Sequence, residues 1–172
     1  VKVVLGRTEE FQATRARQPQ IHEMALALDD DGTFLGIRDD ITAEAGAYAG
    51  LTKPGMWVSC NFIAPPYWIE NIDIDGQCVF TNTVPSGAYR GFGLTQAATA
   101  REALVDKAAA ELGFDPWELR RRNLPSDEDC PTDHPIGFHL DSCGILDCFD
   151  LVEEDIDWDL LDAETADGVV RG

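Results

Sequence analysis

The run Leu94 to Leu112 constrains the fold more than any other part of the sequence. It is dense in Ala, Leu, Glu and Lys and contains neither Gly nor Pro, so helix is its strongly preferred state. Ala97, Ala100, Leu104, Ala108 and Leu112 recur at three- and four-residue intervals and predict one apolar stripe. Gly113 is placed to end this helix in a left-handed conformation. Asp115-Pro116 then opens a second helix, with a carboxylate cap followed by a residue whose missing N–H does no harm in a first turn. Trp117 to Arg122 continue it, and Asn123-Leu124-Pro125 ends it.

Upstream the pattern changes to strands. Ile21 to Leu28 and Phe34 to Ile41 flank the turn signal Asp29-Asp30-Asp31-Gly32 and predict a hairpin. That acidic turn lacks the alternating ligands and distal Glu of a calcium loop, so a solvated turn is expected. Val1 to Leu5 reads as a further strand, and Thr8-Glu9-Glu10-Phe11 as a short helix capped by Thr8 with Phe11 turned inward. Ala43 to Gly55 is rich in small residues that permit close packing. Trp57 to Ile63 reads as a buried strand or helix, broken by Pro65-Pro66. Tyr67 to Ile72 is extended, and Asp75-Gly76 is expected to turn the chain into a strand at Cys78 to Thr81. A short helix is expected at Ile145 to Val152, and Ala163 to Gly172 reads as the approach to another element. The fold class is α+β: β-hairpins, a loop, then two consecutive helices.

The 172 residues carry 13 Lys and Arg against 32 Asp and Glu, a formal charge of −19. The carboxylates are spread along the chain and Lys2, Lys53 and Lys107 are its lysines, which predicts a surface adapted to high salt in a halophilic, haloarchaeal-like source. Nothing here neutralises a row of phosphates, so no nucleic-acid partner is expected. No run approaches the roughly 20 apolar residues of a membrane span, and the first residues do not read as a secretion signal. Five cysteines (Cys60, Cys78, Cys130, Cys143 and Cys148) without a Cys-x-x-Cys pair read as free thiols in a reducing cytoplasm. Cys143 and Cys148 lie near His134 and His139 in sequence, but free thiols are the expected reading rather than a metal site.

The chemistry is concentrated at Gly87-Ala88-Tyr89-Arg90-Gly91-Phe92-Gly93, between a strand and the long helix. Glycines there let the backbone approach a ligand and adopt positive φ. Peptide N–H groups ahead of the helix suit an anion, and Arg90 adds a cation with a planar donor fork. Tyr89 and Phe92 offer aromatic walls for a flat substrate. The spacing is neither a P-loop nor a dinucleotide fingerprint. An ordinary connection whose Arg pairs with one of the many carboxylates is the alternative.

The stretch Thr81-Asn82-Thr83-Val84-Pro85-Ser86-Gly87-Ala88-Tyr89-Arg90-Gly91-Phe92-Gly93 resembles the active-site loop of the molybdopterin-binding (large) subunit of the xanthine dehydrogenase/aldehyde oxidase family. The resemblance continues through Gln96 and the helix to Leu112-Gly113-Phe114-Asp115-Pro116 and Glu118-Leu119-Arg120-Arg121-Arg122-Asn123-Leu124. Upstream it includes Arg7-Thr8-Glu9-Glu10-Phe11, residues 29–37 and Ala45-Gly46-Ala47-Tyr48, so it covers most of residues 1 to 140. It implies an oxidoreductase that hydroxylates an aldehyde or heterocycle at molybdenum, with water as the oxygen source. The implied cofactor is molybdenum-molybdopterin, as the cytosine dinucleotide. The implied partners are an iron–sulfur subunit and an FAD subunit, besides the small-molecule substrate. By position Gly87, Ala88, Tyr89, Arg90 and Gly91 would bind the cofactor, Arg90 beside the metal's oxygen ligands without ligating molybdenum. Phe92 would contact the substrate ring.

The departures bear on function too. The family's Gly-Gly-x-Phe-Gly stretch and the glutamate acting as general base have no match in this sequence, so the expectation is an internal fragment, inactive in isolation. Residues 1–172 are then part of the first half of the molybdenum-cofactor-binding domain, with a less family-like acidic end from about residue 126. The loop lacks the Cys of molybdenum–copper carbon monoxide dehydrogenases, and Val58 and its neighbours replace the arginine expected for purines. A truncated non-catalytic remnant or partner-binding domain is the alternative.

Overall fold

The computed structural model describes residues 1–156. The expectation for Ala163 to Gly172 lies outside the described residues. The two strands expected on either side of the acidic turn pair: β2 (Gln20–Leu28) runs antiparallel to β3 (Phe34–Gly46), from Gln20 opposite Ala43 to Leu28 opposite Phe34. Asp29 closes the turn between them by accepting from the Asp31 and Thr33 amides at 3.0 and 2.8 Å. The carboxylates of this turn therefore serve its backbone and solvent, as expected of a solvated turn.

After β3 the chain crosses through α2 (Thr52–Asn61) and returns as β4 (Asn71–Phe80), parallel to β3. The sheet order is β2-β3-β4. Asp75-Gly76 is not a turn, because β4 runs straight through both residues. Gly76 serves packing instead: a β-carbon there would sit 2.9 Å from Cys60 Sγ and 3.0 Å from Met56 Sδ on α2. Trp57 to Ile63 is largely helical, and Trp57 is 62% exposed rather than buried.

One face of the sheet is covered. Ile37, Asp39, Ile41, Ala43 and Ala45 of β3 are buried; α2 packs on β3 and β4 and α3 (Leu94–Leu112) on β2, with Leu26 and Ile74 against the core cluster that includes Ile37. Helix α3 has the expected bounds and ends at Gly113 in the left-handed conformation. Its buried stripe starts at the expected Ala97 but continues through Arg101, Val105 and Ala109, each one residue on from the predicted row, while Leu112 is exposed. Arg101 explains the rotation. Its guanidinium donates to the carbonyls of Phe62 (2.9 Å) and Pro65, in the proline-broken linker between α2 and β4. Buried carbonyls without strand partners need such a donor.

Helix α4 (Pro116–Arg122) is capped by Asp115, which accepts from the Trp117 and Glu118 amides at 2.9 Å each. Asn123 then ties its end to the β2–β3 turn: Oδ1 accepts from the Phe34 amide at 2.7 Å and Nδ2 donates to the Gly32 carbonyl at 2.9 Å. The acidic end forms a small hairpin (Thr132–Asp133 and His139–Leu140) and helix Ile145–Asp155, whose Phe149 ring stacks on Trp117 at 4.0 Å.

Two expectations at the start of the chain fail. Val1 to Leu5 is exposed coil that pairs with no strand among the described residues. Helix α1 (Arg7–Ala13) is capped at Gly6 rather than Thr8, and Phe11 is 76% exposed rather than turned inward. No helix among the described residues is long and apolar enough to cross a membrane.

Candidate functional site

The loop ahead of α3 is held between two short pieces of backbone. β1 (Ala16–Arg17) pairs in parallel with β5 (Ser86–Gly87), which aligns Arg17 with Gly87 at the loop's start. From there the chain passes through Gly91 at φ +91°, Phe92 at φ +42° and Gly93 at φ +100° before α3 begins. Three consecutive left-handed residues are unfavourable for any side chain, and Phe92 sits among them.

Each loop glycine is explained by a neighbour in this chain. A β-carbon on Gly87 would lie 2.5 Å from Arg15 Cδ, and one on Gly91 would lie 2.5 Å from Thr95 Cγ2. One on Gly93 would overlap the Gly55 carbonyl and lie 2.8 Å from Ser59 Oγ. Within this chain these glycines make room for Arg15, Thr95 and helix α2. Gly55 itself faces the Phe92 ring, so the small residues of α2 and of the loop fit each other.

The expected site residues then separate by side. Phe92 turns inward against α2. Ala88, Tyr89 and Arg90 are exposed, Tyr89 by 63%. Arg17, which sequence reasoning missed, organises that outer side. Its guanidinium lies 4.4 Å over the Tyr89 ring, donates to the Arg90 carbonyl at 2.9 Å and also reaches the Thr95 hydroxyl. A planar fork over an aromatic ring suits arginine and not lysine.

Arg15, Arg17 and Arg90 surround this loop, and among the described residues none of them pairs with a carboxylate. In a chain with 32 acidic residues that is a selective arrangement. Arg15, Arg17 and Tyr89 line a cleft of about 560 Å³ beside α1. Unpaired guanidiniums with an exposed phenol ring fit an anionic, oxygen-rich group, and the donor set is consistent with a phosphate- or oxo-bearing cofactor.

Behind the loop lies a polar network that the sequence did not disclose. Gln18, Gln20 and His22 project from the edge of the sheet toward α2 and α3. Gln96 of α3 donates to the Gln18 carbonyl at 2.9 Å. Ser59 of α2 is within hydrogen-bonding distance of both Gln20 Oε1 (3.0 Å) and the Gly93 carbonyl (2.9 Å). No group of three or more His, Cys, Asp or Glu suited to a metal ion occurs among the described residues. His134 instead meets the Tyr67 carbonyl at 3.0 Å and His139 meets Asp133 at 2.8 Å, while all five cysteines are free.

The chain resembles known proteins in sequence and in fold. Residues 1–124 match the family model described as the molybdopterin cofactor-binding domain. The chain is 34% identical over 155 residues to the 6-hydroxypseudooxynicotine dehydrogenase complex subunit gamma of Paenarthrobacter nicotinovorans, covering 87% of this chain and 20% of that protein. It is 32% identical over 165 residues to the xanthine dehydrogenase molybdenum-binding subunit of Escherichia coli, covering 95% and 22%. Quinoline 2-oxidoreductase from Pseudomonas putida 86 superposes with a TM-score of 0.85 at 34% identity, over 91% of this chain and 20% of that one. The chain thus spans about a fifth of the length of each.

Proposed function

This chain belongs to the xanthine dehydrogenase/aldehyde oxidase family through its molybdopterin cofactor-binding domain, and on that premise we propose that it forms one wall of the active site of a molybdenum hydroxylase. Gly87, Ala88, Tyr89, Arg90 and Gly91 hold the cofactor in this reading, and Phe92 presents its ring to the substrate. The whole enzyme oxidises an aldehyde or a heterocycle, taking oxygen from water. Residues 1–172 make up part of the first half of the cofactor-binding domain, and the general base lies on another segment.

The observation that carries the reading is the set of guanidiniums around the loop, unpaired within the described residues of an otherwise acidic chain. When bound, molybdenum-molybdopterin supplies the two-electron redox chemistry. This chain's residues do the positioning. Arg90 would offer its planar donor fork and positive charge to the cofactor's anionic oxygens. Arg17 holds the Arg90 backbone through its carbonyl and holds Tyr89 by stacking, so the loop's outer face keeps one shape. Phe92, wedged against Gly55, gives the substrate side an apolar surface that sheds water.

The cofactor is the cytosine dinucleotide form. Iron–sulfur clusters and FAD on partner subunits would carry the electrons away, and the assembly works in the cytoplasm. The test is Arg90→Ala in the complete enzyme produced with its partner subunits, read by molybdenum content and by the fluorescence of the oxidised pterin. Loss of both at intact subunit assembly is the expected result. Unchanged metal and pterin content would remove Arg90 from the cofactor site.

A further inference from the structure

Asp39 is fully buried on the inner face of the sheet, and its carboxylate meets His22 Nδ1 at 2.7 Å; the two side chains are 0% and 8% exposed. The protonation of this pair follows from the hydrogen bonds around it. The Thr52 carbonyl can only accept, so the Gln18 amide at 3.1 Å presents its NH2 there. Gln18 Oε1 is then directed at Gln20, whose NH2 donates to it at 3.0 Å. Gln20 Oε1 is left facing both His22 Nε2 (3.0 Å) and Ser59 Oγ (3.0 Å). His22 Nε2 must therefore carry a hydrogen. Because Nδ1 faces a carboxylate oxygen at 2.7 Å, that contact holds a second proton, whichever of the two atoms bears it.

Ser59 has one hydroxyl proton and three acceptors in reach: Gln20 Oε1, the Gly93 carbonyl at 2.9 Å and the Gly55 carbonyl at 3.3 Å. His22 decides the competition. With Nε2–H already on Gln20 Oε1, the Ser59 proton is free for Gly93. Without that donor, Gln20 Oε1 is a buried acceptor with a strong claim on Ser59.

We infer that the buried His22–Asp39 pair positions the cofactor loop: by donating to Gln20 it releases the Ser59 hydroxyl to tether the Gly93 carbonyl, and so holds Phe92 in its left-handed conformation. The proposal rests on the reading of residues 87–93 as the cofactor loop. His22, Asp39, Gln20 and Ser59 are positioning residues and touch no substrate. The other groups facing the pair are consistent with this role. Arg17, Thr95, Gln96 and Thr99 share the cleft with Gln20 and His22, and Cys60 on α2 has its thiol pushed up by burial and then by the Asp39 charge.

Amide hydrogen exchange in the complete enzyme tests this without needing turnover. In His22→Leu, amides of the Gly91–Leu94 segment should exchange about fivefold faster, the factor for losing one hydrogen bond of ~1 kcal/mol. Ser59→Ala should match it, and the pair of changes together should add nothing. The decisive variant is His22→Leu with Gln20→Leu. Removing the competing acceptor returns Ser59 to Gly93, so loop protection should recover to near the unsubstituted value. Further loosening in that double variant would overturn the proposal, as would faster exchange confined to β2 and β3 with the loop unchanged. Absence of molybdenum and pterin from the unsubstituted enzyme would sink the functional reading alone, since the exchange cycle is read with or without the cofactor.

Discussion

Gly93 lies so close beneath Gly55 that a β-carbon on Gly93 would overlap the Gly55 carbonyl oxygen. The two glycines let helix α2 touch the backbone that launches α3, and Ser59 bridges the same junction. Gly93→Ala therefore combines a φ of +100° with a steric overlap against backbone, which cannot move aside. A loss of at least about 3 kcal/mol is expected. Gly113→Ala has a similar φ of +78° and nothing within 4 Å of the new methyl, so about 1 kcal/mol is expected. Thermal unfolding of the two variants side by side measures the difference, and equal losses would remove the steric contribution.

Asn123 joins three elements through its side chain, accepting from the Phe34 amide and donating to the carbonyls of Gly32 and Leu119. Asn123→Ala leaves buried backbone groups without partners and should lower stability by about 2–4 kcal/mol. Asn123→Asp should be nearly as damaging, because a carboxylate can accept from Phe34 but cannot donate to the two carbonyls. Urea midpoints would show it.

Arg17 anchors the loop's outer face through the Arg90 carbonyl and the Tyr89 ring. Replacing Arg17 by Lys keeps the charge and loses the fork, so about 1–2 kcal/mol of local restraint should disappear. Chymotrypsin cleavage after the exposed Tyr89 is the readout. Faster cleavage in Arg17→Lys, with the global melting temperature little changed, is the expected pattern.

The Cys60 thiol is held above its ordinary range first by burial and then by Asp39, and burial also raises Cys78. A raised thiol pKa means less thiolate at a given pH, so both should alkylate more slowly than a free cysteine at pH values near about 8. The sign for stability follows from the same shift. The folded state binds these protons more tightly, so their contribution is full below the ordinary thiol range and is lost as pH rises through the folded values. Asp39→Asn should speed alkylation of Cys60 and leave Cys78 little affected, read by mass spectrometry of the labelled peptides.

A formal charge of −19 on 172 residues repels itself at low salt. Raising sodium chloride from about 0.1 M to about 1 M shortens the screening length from about 10 Å to about 3 Å. The melting temperature should rise with salt over that range. A flat or falling dependence would remove the high-salt expectation.

Leu94 to Leu112, the Asp115 cap and the β2–β3 hairpin were legible from the sequence, because each rests on interactions between residues close in the chain. Helix formers, a capping carboxylate and a turn rich in Asp and Gly act locally wherever they stand. The loop's exceptional character was legible for the same reason, through its run of Gly, Arg and aromatic residues. The partners were not. Sequence could not say that Gly76 makes room for Met56 and Cys60 instead of turning the chain, or that Arg101 would take the inner face of α3 to serve the carbonyls of Phe62 and Pro65, far back along the chain. Nor could it join Arg17 to Tyr89, or Asp39 to Gly93 through His22, Gln20 and Ser59. Such contacts depend on which backbones meet. A residue's type sets what it can bond, whereas only tertiary packing sets what stands within hydrogen-bonding reach of it.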